Sequence, residues 1–270
     1  MTHPARGTRL TDTAYLTHLQ QESAALREAV AVTVPGTMVP TCPKWTVDDL
    51  AWHLGGEAFD FWIHVIAHRP EPPVDYEDPV RPAERSALLA YLDERTATLI
   101  ETLRAAEGSD PAWSWTNDQT VGFTTRRQTL EALVHRVDAE LASGRLGPID
   151  ADLAADGVVE VLDIFFGAQP PWATFTPGGV VAVEIDDANL TVRCEVGRLT
   201  GVHPRSGEEV DEAHLRVLPD EGPYEAALAG RAEDLLLYAW GRRDDAALRE
   251  GGDPAVLRRF RAVLAQPIEV

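Results

Sequence analysis

Hydrophobic residues recur every three or four positions through the first half of the chain, which is the spacing of one face of an α-helix. This pattern predicts four helices, over residues 11–30, 46–67, 88–103 and 125–143. Thr46 is a good N-cap for the second helix, with Asp49 in a weak capping box, and Gly144 is suited to end the fourth. Four helices of this length are typical of an antiparallel bundle.

Proline-rich and polar segments separate the predicted helices. Residues 40–43 are expected to form a loop, residues 70–73 an extended linker, and residues 113–123 a loop or a hairpin. Cys42, within the first of these segments, is interpreted as a buried small residue without a reactive role.

The second half of the chain follows a different pattern. Residues 180–185 are mostly apolar and residues 189–196 alternate between apolar and polar, as expected for two strands joined by a turn. Another short strand is predicted over residues 224–228. Helices are predicted over residues 151–165, 232–240 and 254–264.

This change of pattern places a domain boundary just after the fourth helix. Residues 1–148 are predicted to form an all-α bundle, and residues 149–270 a smaller α+β domain. The predicted fold class is therefore α+β, mainly α.

The amino-acid composition argues against two classes of binding partner. The chain has 24 Lys and Arg residues against 44 Asp and Glu residues, a formal net charge of −20. Nucleic acids and anionic membranes both select a positive surface, so neither is expected as a partner. No apolar run approaches the roughly 18–20 residues of a membrane span. Two cysteines without C-x-x-C spacing and a first segment unlike a signal peptide lead us to expect a cytoplasmic protein.

Candidate chemistry first appears on the fourth helix. Glu131, His135 and Asp138 lie at positions i, i+4 and i+7, along the edge of the apolar stripe. A carboxylate and an imidazole one turn apart can reach the same metal ion, and this donor pair suits zinc. A solvated polar face is the alternative, and the spacing alone does not decide between them.

The second helix repeats this arrangement. His53, Glu57, Asp60 and His64 form a polar strip between two apolar faces, so the strip faces either an internal cavity or solvent. Two adjacent glycines, residues 55 and 56, weaken the helix at this point. They indicate either a ligand that approaches the backbone or tight packing between helices.

Three segments resemble the signatures of one protein family. Residues 39–55 (VPTCPKWTVDDLAWHLG) are similar to the opening signature of the mycothiol-dependent maleylpyruvate isomerase family, within the DinB-like metalloenzyme superfamily. Residues 126–140 resemble its second signature, and residues 229–242 resemble the end of its sterol-carrier-like domain. The resemblance implies a DinB-like bundle followed by a sterol-carrier-like domain.

The resemblance also implies specific site residues. Carried over position by position, the family's metal ligands fall on His53, Glu131 and His135, and its substrate-binding arginine falls on Arg242. A plain surface arginine is the alternative for Arg242. Many members have a histidine where this chain has Leu130; that histidine is not a ligand, so the site is retained but an outer hydrogen bond is expected to be missing.

Two histidines and one carboxylate leave open positions on zinc or another divalent metal, which is typical of a catalytic site. The resemblance implies mycothiol as cosubstrate. A thiol that binds such a metal ionises, and the thiolate can then attack an electrophile. The expected reaction is isomerisation of an unsaturated acid or thiol S-transfer to an electrophilic substrate. The alternative is a non-catalytic, regulatory metal- or ligand-binding protein. In either case a monomer or a homodimer is expected.

Overall fold

The computed structural model describes residues 10–268, and the chain divides into two units, Met1–Pro148 and Ile149–Val270. The expectation that the chain starts without a signal peptide rests on its first residues, which lie outside the described range. Among residues 10–268, every helix is too short or too polar to cross a membrane.

The first unit is built from helices. Their bounds are α1 (Asp12–Val32), α2 (Val47–Trp52), a π-helical segment π1 (His53–Phe59), α3 (Asp60–Ala67), α4 (Arg85–Arg104) and α5 (Val121–Ser143). α1 packs against α4 and α5, while α2, π1 and α3 follow one another and pack against α4. The four predicted helices are therefore present, the second one interrupted by π1.

Local capping explains where these helices begin and end. The Thr46 and Asp49 side chains form the predicted capping box, in which each accepts a backbone N–H of the other residue. α5 begins at Val121, four residues before the predicted start, because the Thr120 hydroxyl caps it by accepting the Phe123 N–H. Gly144 ends α5 in the left-handed region, with φ of 76°.

A small hairpin replaces the loop that was predicted over residues 40–43. Its strands are β1 (Met38–Val39) and β2 (Cys42–Thr46), which pair antiparallel. The prediction was wrong because two prolines favoured a loop, whereas β2 is short, has no fully buried residue and leaves no alternating apolar pattern.

The π1 segment changes the face of the second helix. The Asp60 N–H bonds to the Gly55 carbonyl, five residues back, so the 100° phase used for the polar strip does not hold across this segment. A Cβ atom on Gly55 would lie 3.2 Å from the Leu92 Cα atom of α4. The first of the two glycines therefore allows tight packing between π1 and α4.

The second unit combines helices with a mixed sheet. It contains α6 (Ala151–Glu160), a second π-helical segment π2 (Val161–Phe165), β3 (Ala173–Ile185), β4 (Leu190–Val202), β5 (Glu209–Val217), β6 (Ala226–Gly230), α7 (Ala232–Ala239), β7 (Arg249–Gly252) and α8 (Pro254–Leu264). The strand order is β5–β4–β3–β6–β7, and only β3 and β6 among the neighbouring pairs of this sheet run parallel. α8 packs on the sheet, and α6 packs on α7.

The predicted fold class, α+β and mainly α, is confirmed by this architecture. Two strands of the five-stranded sheet were missed, β5 and β7, which form its two edges. β7 is exposed throughout and has no apolar residue, so its sequence gives no strand pattern. β5 does carry a short alternation, in Ala213, Leu215 and Val217, but it follows a mostly charged and exposed segment and was overlooked.

Candidate metal centre

Three donor side chains from two separate parts of the first unit converge. His53 is the first residue of π1, whereas Glu131 and His135 lie one turn apart on α5. Glu131 Oε1 lies 3.2 Å from His53 Nε2 and 3.2 Å from His135 Nε2. One ligand atom from each residue falls within 4.8 Å of the others.

This cluster is buried rather than solvated. His135 is 1% exposed and Glu131 is 7% exposed, and α5 is buried around most of its circumference. The solvated face that the spacing left open on the fourth helix is therefore absent at these two residues. Charged and polar groups at such depth need partners, and each of these groups has one.

Each histidine uses its other ring nitrogen to contact a second carboxylate. His135 Nδ1 lies 3.0 Å from Asp138 Oδ2, and His53 Nδ1 lies 2.9 Å from Glu57 Oε2. A nitrogen that faces a carboxylate carries a ring proton, so in the neutral ring, the form that binds a metal, the lone pair lies on Nε2. Both Nε2 atoms point towards Glu131. This carboxylate–histidine arrangement is the usual support of a metal ligand.

Arg127, one turn before Glu131 on α5, holds the other oxygen of the carboxylate. Its Nη2 donates to Glu131 Oε2, and the guanidinium is almost completely buried. Burial alone would raise the pKa of Glu131, but the charge of Arg127 and the neighbouring imidazoles outweigh it and hold that pKa well below its usual range. Oε1 therefore remains a charged donor, directed at the two histidines.

The electrostatics around His135 favour a cation at the same place. Burial lowers the pKa of His135, but the Glu131 charge and the hydrogen bond to Asp138 reverse this and raise the pKa to about 9. Both shifts have the same physical meaning: positive charge next to Glu131 Oε1 is stabilised by its surroundings.

The donor set fits a divalent metal. Nitrogen and oxygen ligands bind tetrahedral zinc at about 2.0–2.2 Å, which places neighbouring ligand atoms about 3.3 Å apart. The two nitrogen–oxygen distances of 3.2 Å agree with this spacing. Two imidazoles and a carboxylate held through one oxygen would leave part of the coordination sphere open, as in catalytic zinc sites.

The β1–β2 hairpin lies against this cluster. The Trp45 ring centre lies 4.6 Å from that of His53 and 6.1 Å from that of His135. Thr41 Oγ1 donates to Asp138 Oδ1 at 2.5 Å, and Cys42 Sγ lies 3.8 Å from Asp138 Oδ2. The interpretation of Cys42 as a buried residue was wrong, because it is half-buried and contacts a side chain that supports a candidate ligand.

The rest of the polar strip predicted on the second helix does not join the cluster. Asp60 accepts hydrogen bonds from Tyr76, Tyr91 and Arg95, and the His64 ring stacks on His68 at 4.1 Å. The π1 segment separates His53 from these later residues and turns them towards other partners. The spacing argument therefore holds only for His53 and Glu57.

Sequence reasoning missed Arg127, Thr41 and Trp45 as members of this site. Arg127 could have been found, because it lies four residues before Glu131 on a predicted helix, where opposite charges pair. Thr41 lies in the segment 40–43 that was interpreted as a loop, and Trp45 lies between that segment and the predicted helix, so helical spacing could place neither residue.

Comparison with known proteins identifies the family. Residues 16–140 match the model of the mycothiol maleylpyruvate isomerase N-terminal domain, and residues 152–259 match the model of the C-terminal domain of the same family. The chain belongs to the mycothiol maleylpyruvate isomerase family. No curated protein sequence matches it.

Solved structures share the fold of this family member. The mycothiol-dependent maleylpyruvate isomerase matches with a TM-score of 0.56 and 15% identity, and a histidine-to-alanine mutant of such an isomerase matches with a TM-score of 0.57 and 16% identity. Each match covers 90% of this chain and 95% of the other. At this identity the likeness establishes the fold alone.

Arg242, the substrate-binding arginine implied by the family resemblance, follows α7 in the second unit. Gly241 before it adopts a left-handed conformation, with φ of 68°. Arg242 Nη1 donates to the Trp240 carbonyl oxygen at 2.6 Å, and its guanidinium carbon lies 5.6 Å from the centre of the Trp240 ring. The side chain is half-buried, and its role towards a substrate stays a prediction.

Proposed function

We propose that this protein is a zinc-dependent enzyme that uses mycothiol as cosubstrate to isomerise an unsaturated acid of the maleylpyruvate type. The observation that carries the proposal is the convergence of His53, Glu131 and His135, in which one carboxylate oxygen lies 3.2 Å from both Nε2 atoms. Membership of the mycothiol maleylpyruvate isomerase family supports the choice of thiol and substrate.

The residues of this chain prepare the site for a thiol. His53, Glu131 and His135 would hold the metal, which would supply a lowered pKa for a coordinated thiol, so that the thiolate is present near neutral pH. Arg127 occupies Glu131 Oε2 and restricts the carboxylate to one donor oxygen. The half-buried Trp45 ring covers one side of the His53 imidazole and limits the approach of water from that side.

Isomerisation needs a nucleophile that adds and then leaves. When a thiolate adds to the cis carbon–carbon double bond, a carbon–sulfur bond forms and the former double bond becomes a single bond that can rotate. Loss of the thiolate restores the double bond in the trans form, so the thiol is regenerated and no other reagent is consumed. We assign Arg242 to the substrate carboxylate, because a planar guanidinium can form two parallel hydrogen bonds with it.

The direct test uses the zinc-loaded protein with mycothiol and maleylpyruvate. We expect formation of the trans isomer while the concentration of free thiol stays constant. Removal of the metal by a chelator should abolish turnover, and added zinc should restore it. Stoichiometric loss of thiol would instead show S-transfer, and metal binding without turnover across a panel of electrophiles would show a non-catalytic protein.

A further inference from the structure

Asp138 is the most completely enclosed carboxylate next to the candidate metal centre. Its side chain is 0% exposed, and Oδ2 faces His135 Nδ1 at 3.0 Å. The tip of the β1–β2 hairpin also contacts it: Thr41 Oγ1 donates to Oδ1 at 2.5 Å, and the Cys42 thiol lies 3.8 Å from Oδ2. The carboxylate therefore connects the hairpin to His135.

The corresponding support of His53 is different. Glu57 Oε2 lies 2.9 Å from His53 Nδ1, but the Glu57 side chain is 55% exposed. An exposed carboxylate can exchange this contact for water at little cost, whereas a buried one cannot. Both histidines therefore contact a carboxylate through Nδ1, but the orientation of the His135 ring is restrained more strongly than that of the His53 ring.

We propose that Thr41 and Asp138 are positioning residues that fix the His135 ring, with its Nε2 atom directed at the metal, and that the hairpin controls metal affinity through them. This inference rests on the metal centre of the proposed function. It assigns a role to Thr41, which lies in a segment that the spacing of residues indicated only as a loop.

The physical reason lies in how the Asp138 carboxylate is oriented. A carboxylate can rotate about its last side-chain bond, and a single partner on one oxygen would not set its plane. The Thr41 hydroxyl holds Oδ1, which keeps Oδ2 in line with His135 Nδ1. The hydrogen bond from Nδ1 then fixes the tautomer and the ring orientation, and the carboxylate charge strengthens Nε2 as a donor.

The test is the affinity of the purified full-length protein for Zn²⁺, measured by competition with a chromophoric chelator, and the visible absorption of bound Co²⁺. The Asp138→Asn variant keeps the side-chain shape but loses the charge, and we expect roughly 10- to 100-fold weaker Zn²⁺ binding. The Thr41→Val variant keeps the shape but loses the hydroxyl, and we expect about threefold to tenfold weaker binding.

Two matched variants separate positioning from a purely structural effect. Thr41→Ser retains the hydroxyl and should restore the affinity and the Co²⁺ spectrum of the unmodified protein. Glu57→Gln changes the exposed carboxylate that supports His53, and we expect its effect to stay within about threefold. Circular dichroism spectra of all variants check that the helical content is preserved.

Equal Zn²⁺ affinity in Thr41→Val and the unmodified protein would overturn the positioning role while leaving the metal centre intact. A Thr41→Ser variant as weak as Thr41→Val would also overturn it, because packing rather than the hydrogen bond would then explain the loss. An unmodified protein that binds neither Zn²⁺ nor Co²⁺ would overturn the proposed metal-dependent function together with this inference.

Discussion

The two segments that carry the candidate ligands, α5 and π1, position these side chains in different ways. α5 is a regular helix, so that Glu131, His135 and the supporting Asp138 follow from its turn-by-turn spacing, and all three are buried. His53 instead begins the irregular π1 segment, and its supporting carboxylate is exposed. The backbone of a regular helix determines which ligands share a face, whereas the placement of a residue on an irregular segment depends on what packs around it.

The comparison shows why the two histidines were not equally predictable. On α5, spacing in the sequence translates directly into spacing in space. On the second helix, the extra residue per turn in π1 breaks this relation, and tight packing of Gly55 on α4 takes its place. Variants on π1, on α5 or outside both segments can test this difference between a regular and an irregular ligand-bearing helix.

The largest expected effect is the loss of a ligand. His53→Ala and His135→Ala should each weaken Zn²⁺ binding more than any variant of a supporting residue, by over about 100-fold, and abolish thiol-dependent turnover. Metal content by elemental analysis and helical content by circular dichroism check this result. Full metal content in both variants would overturn the ligand assignment.

The next comparison is between a buried ion pair on α5, tested by replacing Arg127, and the exposed carboxylate that supports His53, tested by replacing Glu57. In the metal-free protein, Arg127→Ala leaves Glu131 buried without its main counter-charge, and we expect the free energy of unfolding to fall by about 3–5 kcal/mol. Added zinc should recover part of this loss, because a cation again faces the carboxylate. Denaturant unfolding with and without zinc measures both values.

As a control, Glu57→Gln should change the unfolding free energy by less than about 1 kcal/mol. A similar loss of stability in both variants would remove the contrast between the two segments.

Arg242 lies on neither ligand-bearing segment, so its replacement should separate substrate binding from metal binding. Arg242→Ala should lower kcat/KM for the acid by roughly 10- to 100-fold, through the loss of charge-assisted hydrogen bonds, while the metal content stays unchanged. Arg242→Lys should recover little of the activity, because an ammonium group cannot form the same bidentate contact. Unchanged kinetics in Arg242→Ala would mean that this arginine does not bind the substrate.

The smallest expected effect comes from the packing of π1. In Gly55→Ala the added Cβ would meet Leu92 Cα at 3.2 Å, so α4 must move slightly or π1 must shift. Crowding of about 1–3 kcal/mol is partly offset by the better helix propensity of alanine, which leaves a net loss of about 1 kcal/mol in unfolding free energy. Gly251→Ala, where no atom lies within 4 Å of the added Cβ, is the control. A Gly55→Ala variant as stable as this control would show that the contact with α4 does not need glycine.

Local rules were sufficient for much of the fold. The Thr46 capping box, the left-handed Gly144 and the 3.6-residue apolar pattern placed the helices of the first unit within a few residues of their observed bounds. The same rules failed for β2 of the hairpin and for β7, because these short strands have no buried residue and no clear apolar pattern, and for β5, whose short alternation follows a mostly charged segment. These elements are stabilised by pairing with a neighbouring strand, which the pattern of a single segment does not report.

The sequence by itself determined the fold class, the acidic charge and the Glu131–His135 pair, because each of these depends on composition or on contacts within a few residues. Only the tertiary structure decided that His53 reaches Glu131, 78 residues away, and that Thr41 holds Asp138 across 97 residues. Spacing along a helix reports which residues share a face, but not which face another segment will meet. These two contacts depend on the packing of π1 and of the hairpin against α5, and no local sequence pattern contains that information.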